Sequence, residues 1–401
     1  MNAAAPCWLA RTHDHGCGCY VHLPFCDRIC PYCDFAVVRF REALVARYLR
    51  ALHAEIERVC SGGPSGPPQP IQTLYFGGGT PSALTPEKLA SIAGAIFSGF
   101  ATPKGSIEFT MEANPSRGVS DLEAYREIGV NRLSVGVQSF DDGELHRLGR
   151  DHDQAQAVAY IRAARSAGFD NVSLDLIAGT PGQDARSFRE SLRQALDLAP
   201  DHISVYGLTI EPGTPYAAWR EREPHAFADD DALAELLELA ESVLCDAGMS
   251  HYEISNFARP GFECAHNVGY WRQRDCVAIG LSAAGYRDGM RYSNARDLNA
   301  YCDALNNGYS ARVAEERLSP AARIGEAAML ALRTAGGLGI LDFQERFGVD
   351  ARSIFAAAIE ASKTAGLLEE GEGTVRLTRR GRLLANTACA LFLEPEVFIA
   401  S

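Results

Sequence analysis

The stretch Gly18-Cys19-Tyr20-Val21-His22-Leu23-Pro24-Phe25-Cys26-Asp27-Arg28-Ile29-Cys30-Pro31-Tyr32-Cys33 runs from a short apolar strand into a loop with three cysteines. Residues 20–23 read as the strand. Cys26, Cys30 and Cys33 follow in the spacing CxxxCxxC. Clustered thiolates are the soft ligands that hold iron–sulfur clusters. Four protein thiolates would leave no vacant iron. A trio at this spacing can hold a [4Fe–4S] cube by three corners and leave the fourth iron open to a small molecule. Pro24 and Pro31 fix φ, so the thiolates need little reordering to meet the metal. The bland alternative is three buried cysteines acting as small apolar residues. Three within eight positions, among Pro, Asp and Arg, are not a core pattern.

Outward from this loop, strands and helices alternate. Over 41–59 the spacing of Leu44, Tyr48, Leu52 and Ile56 is helical. A Gly/Pro loop spans 61–70. Further strands are expected at 73–76, 107–111, 132–137, 171–177 and 202–208. Helices are expected between them at 121–128, 153–167 and 187–198, and one opens at Thr85, an N-cap followed by Pro86 in the first position. Six βα units predict an α/β fold: a parallel sheet with helices outside, curled into a partial (β/α)6 barrel. The expected divisions are an N-terminal tail over 1–17, the barrel over 18–225, a connecting region over 226–318 and a smaller C-terminal α+β unit over 319–401. Within the connecting region a helix is expected over 230–247 and a strand-like run over 251–257, while 263–294 reads as irregular and aromatic. The C-terminal unit, with a helical pair and a hairpin strand at 374–378, resembles a winged helix. Its basic residues Arg376, Arg379, Arg380 and Arg382 are scattered. Nonspecific DNA affinity needs several phosphate contacts, so a packing or docking role is the expectation.

Residues with chemistry fall at the C-terminal edge of the strands, where barrels keep their sites. Gly77-Gly78-Gly79-Thr80-Pro81 follows strand two, Glu112 ends strand three, Gln138 ends strand four, and Asp175 lies in strand five. The glycines let a ligand reach the backbone and Thr80 adds a hydroxyl; a tight strand-to-helix turn accounts for the same glycines. Glu112 suits an ammonium, Arg150 a carboxylate and Asp175 the hydroxyls of a ribose. Asp175 sits between Leu174 and Leu176, where an unpaired carboxylate is costly. Tyr20 and His22 share one strand face. His22 reads equally as a neighbour of the cluster or as a satisfied core histidine.

Composition narrows the setting. The 401 residues, 47% apolar, support a full core. A net charge of −13 disfavours nucleic acid or an anionic membrane as the main partner. No secretion signal opens the chain, and no apolar run reaches the ~18 residues of a transmembrane span. Twelve cysteines without an export signal point to metal or redox chemistry in a reducing compartment, so a cytoplasmic location is expected.

The segments Tyr20-Val21-His22-Leu23-Pro24-Phe25-Cys26, Cys30-Pro31-Tyr32-Cys33-Asp34-Phe35, Gly77-Gly78-Gly79-Thr80-Pro81 and Gly136-Val137-Gln138-Ser139-Phe140 resemble the radical S-adenosylmethionine (SAM) proteins of the HemN/HemW family. The resemblance runs from Gly18 to about Leu393. It implies a [4Fe–4S] cluster on Cys26, Cys30 and Cys33, with SAM chelating the open iron. It also implies SAM contacts from Tyr20, Gly78, Gly79, Thr80, Glu112, Gln138, Arg150 and Asp175. The family has two branches. The oxygen-independent coproporphyrinogen III oxidases usually carry a further cysteine two places after the third, where this chain has Phe35, and a longer N-terminal extension. The haem-chaperone branch carries His-Asn-x-x-Tyr-Trp, which is His266-Asn267-Val268-Gly269-Tyr270-Trp271 here.

Haem at that motif has a physical rationale. A neutral imidazole is a good axial ligand for haem iron, and Tyr270 and Trp271 offer flat apolar faces to a porphyrin. Cys264 is a competing soft ligand, and simple packing of one histidine and two aromatics is the competing reading. Relatives often end a Gly-rich stretch near Gly280 with Ala-His; this chain has no histidine there. Cys17 and Cys19 have no assigned role. The first expectation is a haem chaperone that binds haem, the cluster and SAM, and delivers haem to acceptor apoproteins, respiratory-chain proteins among them, with a homodimer as one expected state. The alternative is porphyrin biosynthesis proper, the radical conversion of coproporphyrinogen III to protoporphyrinogen IX. A winged-helix DNA sensor is a remote third.

Overall fold

A computed structural model describes residues 16–62, 69–371 and 373–395. The expected N-terminal tail, 1–17, lies outside these residues except for its last two, as does most of the loop over 61–70. Six parallel strands form the centre: β1 (Cys17–Leu23), β2 (Ile71–Gly78), β3 (Glu108–Ala113), β4 (Arg132–Gln138), β5 (Asn171–Ala178) and β6 (His202–Gly207), each paired with the next. The helices α1 (Glu42–Cys60), α2 (Pro86–Gly99), α3 (Leu122–Ile128), α4 (Gln154–Ser166) and α5 (Ala185–Asp197) return the chain between them. The α/β expectation therefore stands.

The two faces of these strands differ in kind. One face carries Val21, Leu23, Leu74, Phe76, Phe109, Met111, Leu133, Val135, Leu174, Leu176 and Ile203, all buried in the main core with the helices. The other carries Tyr20, His22, Thr73, Tyr75, Thr110, Glu112, Arg132, Ser134, Ser173, Asp175, His202 and Ser204, by the period of two that strands impose. Parallel strands covered on both faces are normally apolar throughout. A polar inner face means the lumen is a place for ligands and hydrogen bonds. Curvature brings its residues together, so that Arg132 of β4 feels charges on Tyr75 of β2 and Glu108 of β3.

Helix α6 (Asp230–Asp246) leads to β7 (Ser250–Glu253) and β8 (Asn256–Ala258), which extend the sheet antiparallel beyond β6. Residues 263–294, expected to be irregular, hold α7 (Ala265–Trp271), β9 (Cys276–Ile279), β10 (Ala284–Arg287) and β11 (Met290–Asn294). Elements of four to seven residues are too short to show a period, and β9 is buried at every position, so it shows no alternation. β9 pairs parallel to β1; β10, β11 and, after α8 (Leu298–Asn306), β12 (Arg312–Arg317) continue outward antiparallel, giving twelve strands. Thr85 does stand at the N-cap of α2 with Pro86 first, but its side chain makes no capping bond; it bonds Glu87 instead.

The C-terminal unit has its own core. Helices α9 (Pro320–Leu332), α10 (Ile340–Phe347) and α11 (Ala356–Thr364) pack with a small sheet in which β15 (Thr374–Leu377) lies between β13 (Leu338–Gly339) and β14 (Leu368–Gly371). This is the winged-helix-like arrangement. Arg379 and Arg382 pair with Glu241 of α6, docking the unit on the larger one. No helix among the described residues is long and apolar enough to cross a membrane.

Candidate functional site

The cysteine loop leaves the C-terminal end of β1. Backbone bonds from Gly79 N to Leu23 O and from Thr80 N to Phe25 O, both 2.9 Å, lash it to the glycine turn after β2. Thr80 Oγ1 lies 3.6 Å from Cys26 Sγ. Arg150 donates from Nη1 to Cys30 Sγ at 3.5 Å and from Nη2 to Gly136 O at 2.9 Å. Among the described residues no three His, Cys, Asp or Glu side chains converge as ligands of one metal ion. A cube held at three corners makes no such demand, because each thiolate meets a different iron. Burial pushes the Cys26 thiol up to about 11, so ligation has to drive its deprotonation.

The glycine turn is a cradle. Gly78 has φ +112°, and a Cβ there would lie 2.6 Å from the His22 ring. A Cβ on Gly79 would lie 2.7 Å from the Pro24 carbonyl carbon. Glu112 accepts from Gly78 N at 3.0 Å and from Tyr75 Oη at 3.0 Å. Burial, then the nearby Asp175, raises its carboxyl to about 7. Asp175 accepts from Ser134 Oγ at 3.2 Å, and burial raises its carboxyl too. Gln138 ends β4 at φ +70°, a conformation unusual for a side-chain-bearing residue. Beside it, His152 Nε2 donates to Val137 O at 3.1 Å; burial and the Arg150 charge push that imidazole down to about 4. Tyr20 Oη meets His22 Nδ1 at 3.1 Å, and His22 Nε2 donates to Ala36 O at 2.9 Å. His22 is thus a fully bonded histidine beneath the cradle.

The structure therefore brings Tyr20, Gly78, Gly79, Thr80, Glu112, Gln138, Arg150 and Asp175 to one mouth with Cys26, Cys30 and Cys33. The residues present fit a three-legged cluster with an amino-acid-bearing ligand: a carboxylate and a guanidinium flank a glycine cradle, and Arg150 Nε is buried without a partner.

The motif His266–Trp271 lies elsewhere. It forms α7 at the opposite end of the lumen, where His266 packs near Gly18 at the start of β1. His266 Nδ1 meets Thr73 Oγ1 at 2.8 Å and Nε2 meets Tyr270 Oη at 3.0 Å. Burial and the Arg132 charge push its imidazole down to about 3, so it is neutral. Tyr270 is 39% exposed, and the Trp271 indole N–H has no partner. Cys264 is fully buried and donates to Glu108 at 3.5 Å. Glu108 also accepts the N–H groups of Ala265 and His266, fixing the start of α7. Thr73, Tyr75, Glu108, Ser134 and His152 are absent from the expected set. All but His152 sit on the polar parity of their strands, which is the signal that exposes them.

Residues 20–195 match the Radical SAM superfamily and residues 318–384 the HemN C-terminal domain. The chain is 35% identical over 376 residues to the heme chaperone HemW of Bacillus subtilis, covering 93% of this chain and 98% of that protein. It is also 35% identical over 382 residues to the heme chaperone HemW of Mycobacterium tuberculosis, covering 94% of each. In fold it is similar to coproporphyrinogen III oxidase (HemN) from Escherichia coli, a radical SAM enzyme, with a TM-score of 0.83 at 24% identity over 96% of this chain and 92% of that one.

Proposed function

The chain belongs to the HemW family of radical SAM proteins, and from that premise we propose that it binds haem and passes it to acceptor proteins. Its two candidate sites lie at opposite ends of one strand. The cysteine loop follows Leu23, whereas His266 packs near Gly18; five residues of strand separate them, roughly 16 Å at ~3.3 Å per residue. This separation carries the reading. A substrate converted by radical chemistry must meet the cluster end, while a group held at His266 stands away from it, as cargo does.

At the cluster end, Cys26, Cys30 and Cys33 are the proposed ligands of a [4Fe–4S] cluster, which when bound supplies a site of electron transfer and an open iron for SAM. Glu112 would take the SAM ammonium, Arg150 its carboxylate and Asp175 its ribose, with Tyr20, Gly78, Gly79, Thr80 and Gln138 lining the cradle. At the other end His266 is the proposed axial ligand, with Tyr270 and Trp271 against the porphyrin. Ligation through Nε2 requires the Tyr270 hydroxyl to leave that nitrogen. The eleven described cysteines are all free thiols, which suits a cytoplasmic, reducing setting.

The deciding experiment incubates reconstituted protein anaerobically with coproporphyrinogen III, SAM and a reductant, and in parallel titrates it with haem. Stoichiometric haem binding without turnover is expected. Steady formation of protoporphyrinogen IX would overturn the chaperone reading in favour of the oxidase. Cys30→Ala is expected to lose most bound iron and sulfide while retaining haem binding.

A further inference from the structure

Arg132 opens β4 and is only 2% exposed, the largest fully buried side chain in the molecule's described part. A buried guanidinium is costly unless carboxylates and hydrogen bonds meet it. Among the described residues, its Nε has no hydrogen-bond partner and no carboxylate forms an ion pair with it. The acidic groups nearby are committed: Glu108 to the start of α7, Glu112 to Tyr75 and Gly78, Asp175 to Ser134. Thr110 stands directly across from Arg132 on β3, completely buried, and its Oγ1 is also unpartnered. Asn171 stands across on β5, with Oδ1 unpartnered. Three adjacent strands thus turn unmatched polar atoms into one level of the lumen. That level borders α7, for the Arg132 charge acts on both Cys264 and His266.

Water would satisfy Thr110 and Asn171; Glu108, Glu112 and Asp175 act on the Arg132 charge from a distance, but among the described residues none closes an ion pair on it. We infer that Arg132 is a carboxylate receptor, and that the carboxylate it takes is a propionate of the haem bound at His266. This rests on the haem-carrying function proposed above and adds the recognition element that the His-Asn-x-x-Tyr-Trp motif lacks. Haem presents an iron that wants an imidazole and, at its edge, two carboxylates. This end of the lumen holds the neutral His266 imidazole, a second histidine, His202, tied up by Ser173 and Tyr252, and a cation with no ion-pair partner, with the Thr110 hydroxyl placed to donate to the same group. The floor is closed by α7, seven residues held by Glu108 and by the chain Thr73–His266–Tyr270. Cargo enters when those bonds give way.

Haem and haem dimethyl ester separate the two ideas, because they share the iron and the ring but only haem carries charged propionates. The full chain and its Arg132→Met variant are titrated with both, followed by absorbance. The unmodified chain is expected to prefer haem over the diester by roughly 10- to 100-fold, and Arg132→Met to bind both alike, at the diester's affinity. Should that variant not fold, the ratio measured on the unmodified chain decides alone. Equal affinity for haem and diester would overturn the role of Arg132 and leave the chaperone reading standing. Binding of neither would overturn both.

Discussion

The guanidinium of Arg150 touches the sulfur of Cys30 at 3.5 Å while its other amino group holds the Gly136 carbonyl at 2.9 Å. One side chain thus ties the end of β4 to the cysteine loop, beside a sulfur that would hold the proposed cluster. Lysine has the charge but no fork, and cannot make both bonds and also take a carboxylate. Arg150→Lys is therefore expected to weaken SAM binding roughly 10- to 100-fold with cluster content retained. Calorimetry on the reconstituted protein reads this directly, and an unchanged affinity would remove Arg150 from the site.

Glu112 sets a pH dependence. Its carboxyl is raised to about 7, first by burial and then by Asp175. The ionised form is the one that holds an ammonium. SAM affinity should accordingly rise as pH goes from 6 to 8 and level off above. Linkage runs the other way for the ligand-free protein: the folded state holds a proton that the unfolded chain has lost, so this group's contribution to stability falls as pH rises from about 4.5 to 7. Glu112→Gln should flatten the affinity profile, weaken SAM at every pH and lessen the stability slope, to which Glu253 also contributes. An affinity slope retained in the variant would assign the titration to another group.

The barrel is legible in the chain because each strand carries apolar residues at alternate positions, over an ordinary length, between turn residues. Among the proposed SAM residues, Glu112 and Gln138 are legible because they stand at or near strand ends and Gly78, Gly79 and Thr80 because they form the turn at the end of one. Less legible is the lumen. Arg132, Thr73 and Glu108 each look like surface residues until the parity of their strands is lined up with Asp175 and Tyr20. The placement of α7 is not legible at all. His266 and the cysteine loop both carry candidate ligands, and nothing in their separation of more than two hundred positions says that they occupy opposite ends of one lumen. That depends on β9 pairing with β1, a contact made by four buried residues. The missing histidine near Gly280 is similar. There the turn is held by buried Glu55, which accepts from Gly280 N at 2.8 Å, Tyr301 Oη at 2.6 Å and Asn294 Nδ2 at 2.6 Å, and no local pattern announces that network.

Gly79 has an ordinary φ but no room. A Cβ would meet backbone atoms of Pro24 and Phe25 at 2.7 and 2.9 Å, and backbone cannot step aside as a side-chain tip can. Gly79→Ala should therefore push the glycine turn away from the cysteine loop. The expected results are a stability loss of roughly 1–3 kcal/mol, seen as a lower urea midpoint at unchanged slope, and a reconstituted protein deficient in iron and SAM binding. A variant with full cluster and wild-type midpoint would show that the turn and loop are not coupled.

In the proposed haem site Tyr270 would compete with iron for the same nitrogen. Its hydroxyl lies 3.0 Å from His266 Nε2 and 3.6 Å from Cys276 Sγ. Tyr270→Phe keeps the ring and removes the competitor. It should cost the haem-free protein about 1 kcal/mol and tighten haem severalfold, while His266→Phe abolishes the spectral signature of axial imidazole. Because burial and Arg132 hold the His266 imidazole near 3, no proton competes for it at neutral pH, and haem affinity should stay flat from pH 8 to 5, where an ordinary histidine of pKa ~6.5 would lose its lone pair. The stability of the fold responds in the same window: the unfolded chain takes up a proton below ~6.5 that the folded one refuses, so stability falls as the solution is acidified. His266→Phe should lessen that fall, the remainder coming from His22, His152 and His202, which burial also holds below the usual histidine value. A haem affinity that drops with a midpoint near 6.5 would mean that an exposed histidine, and not His266, ligates the iron.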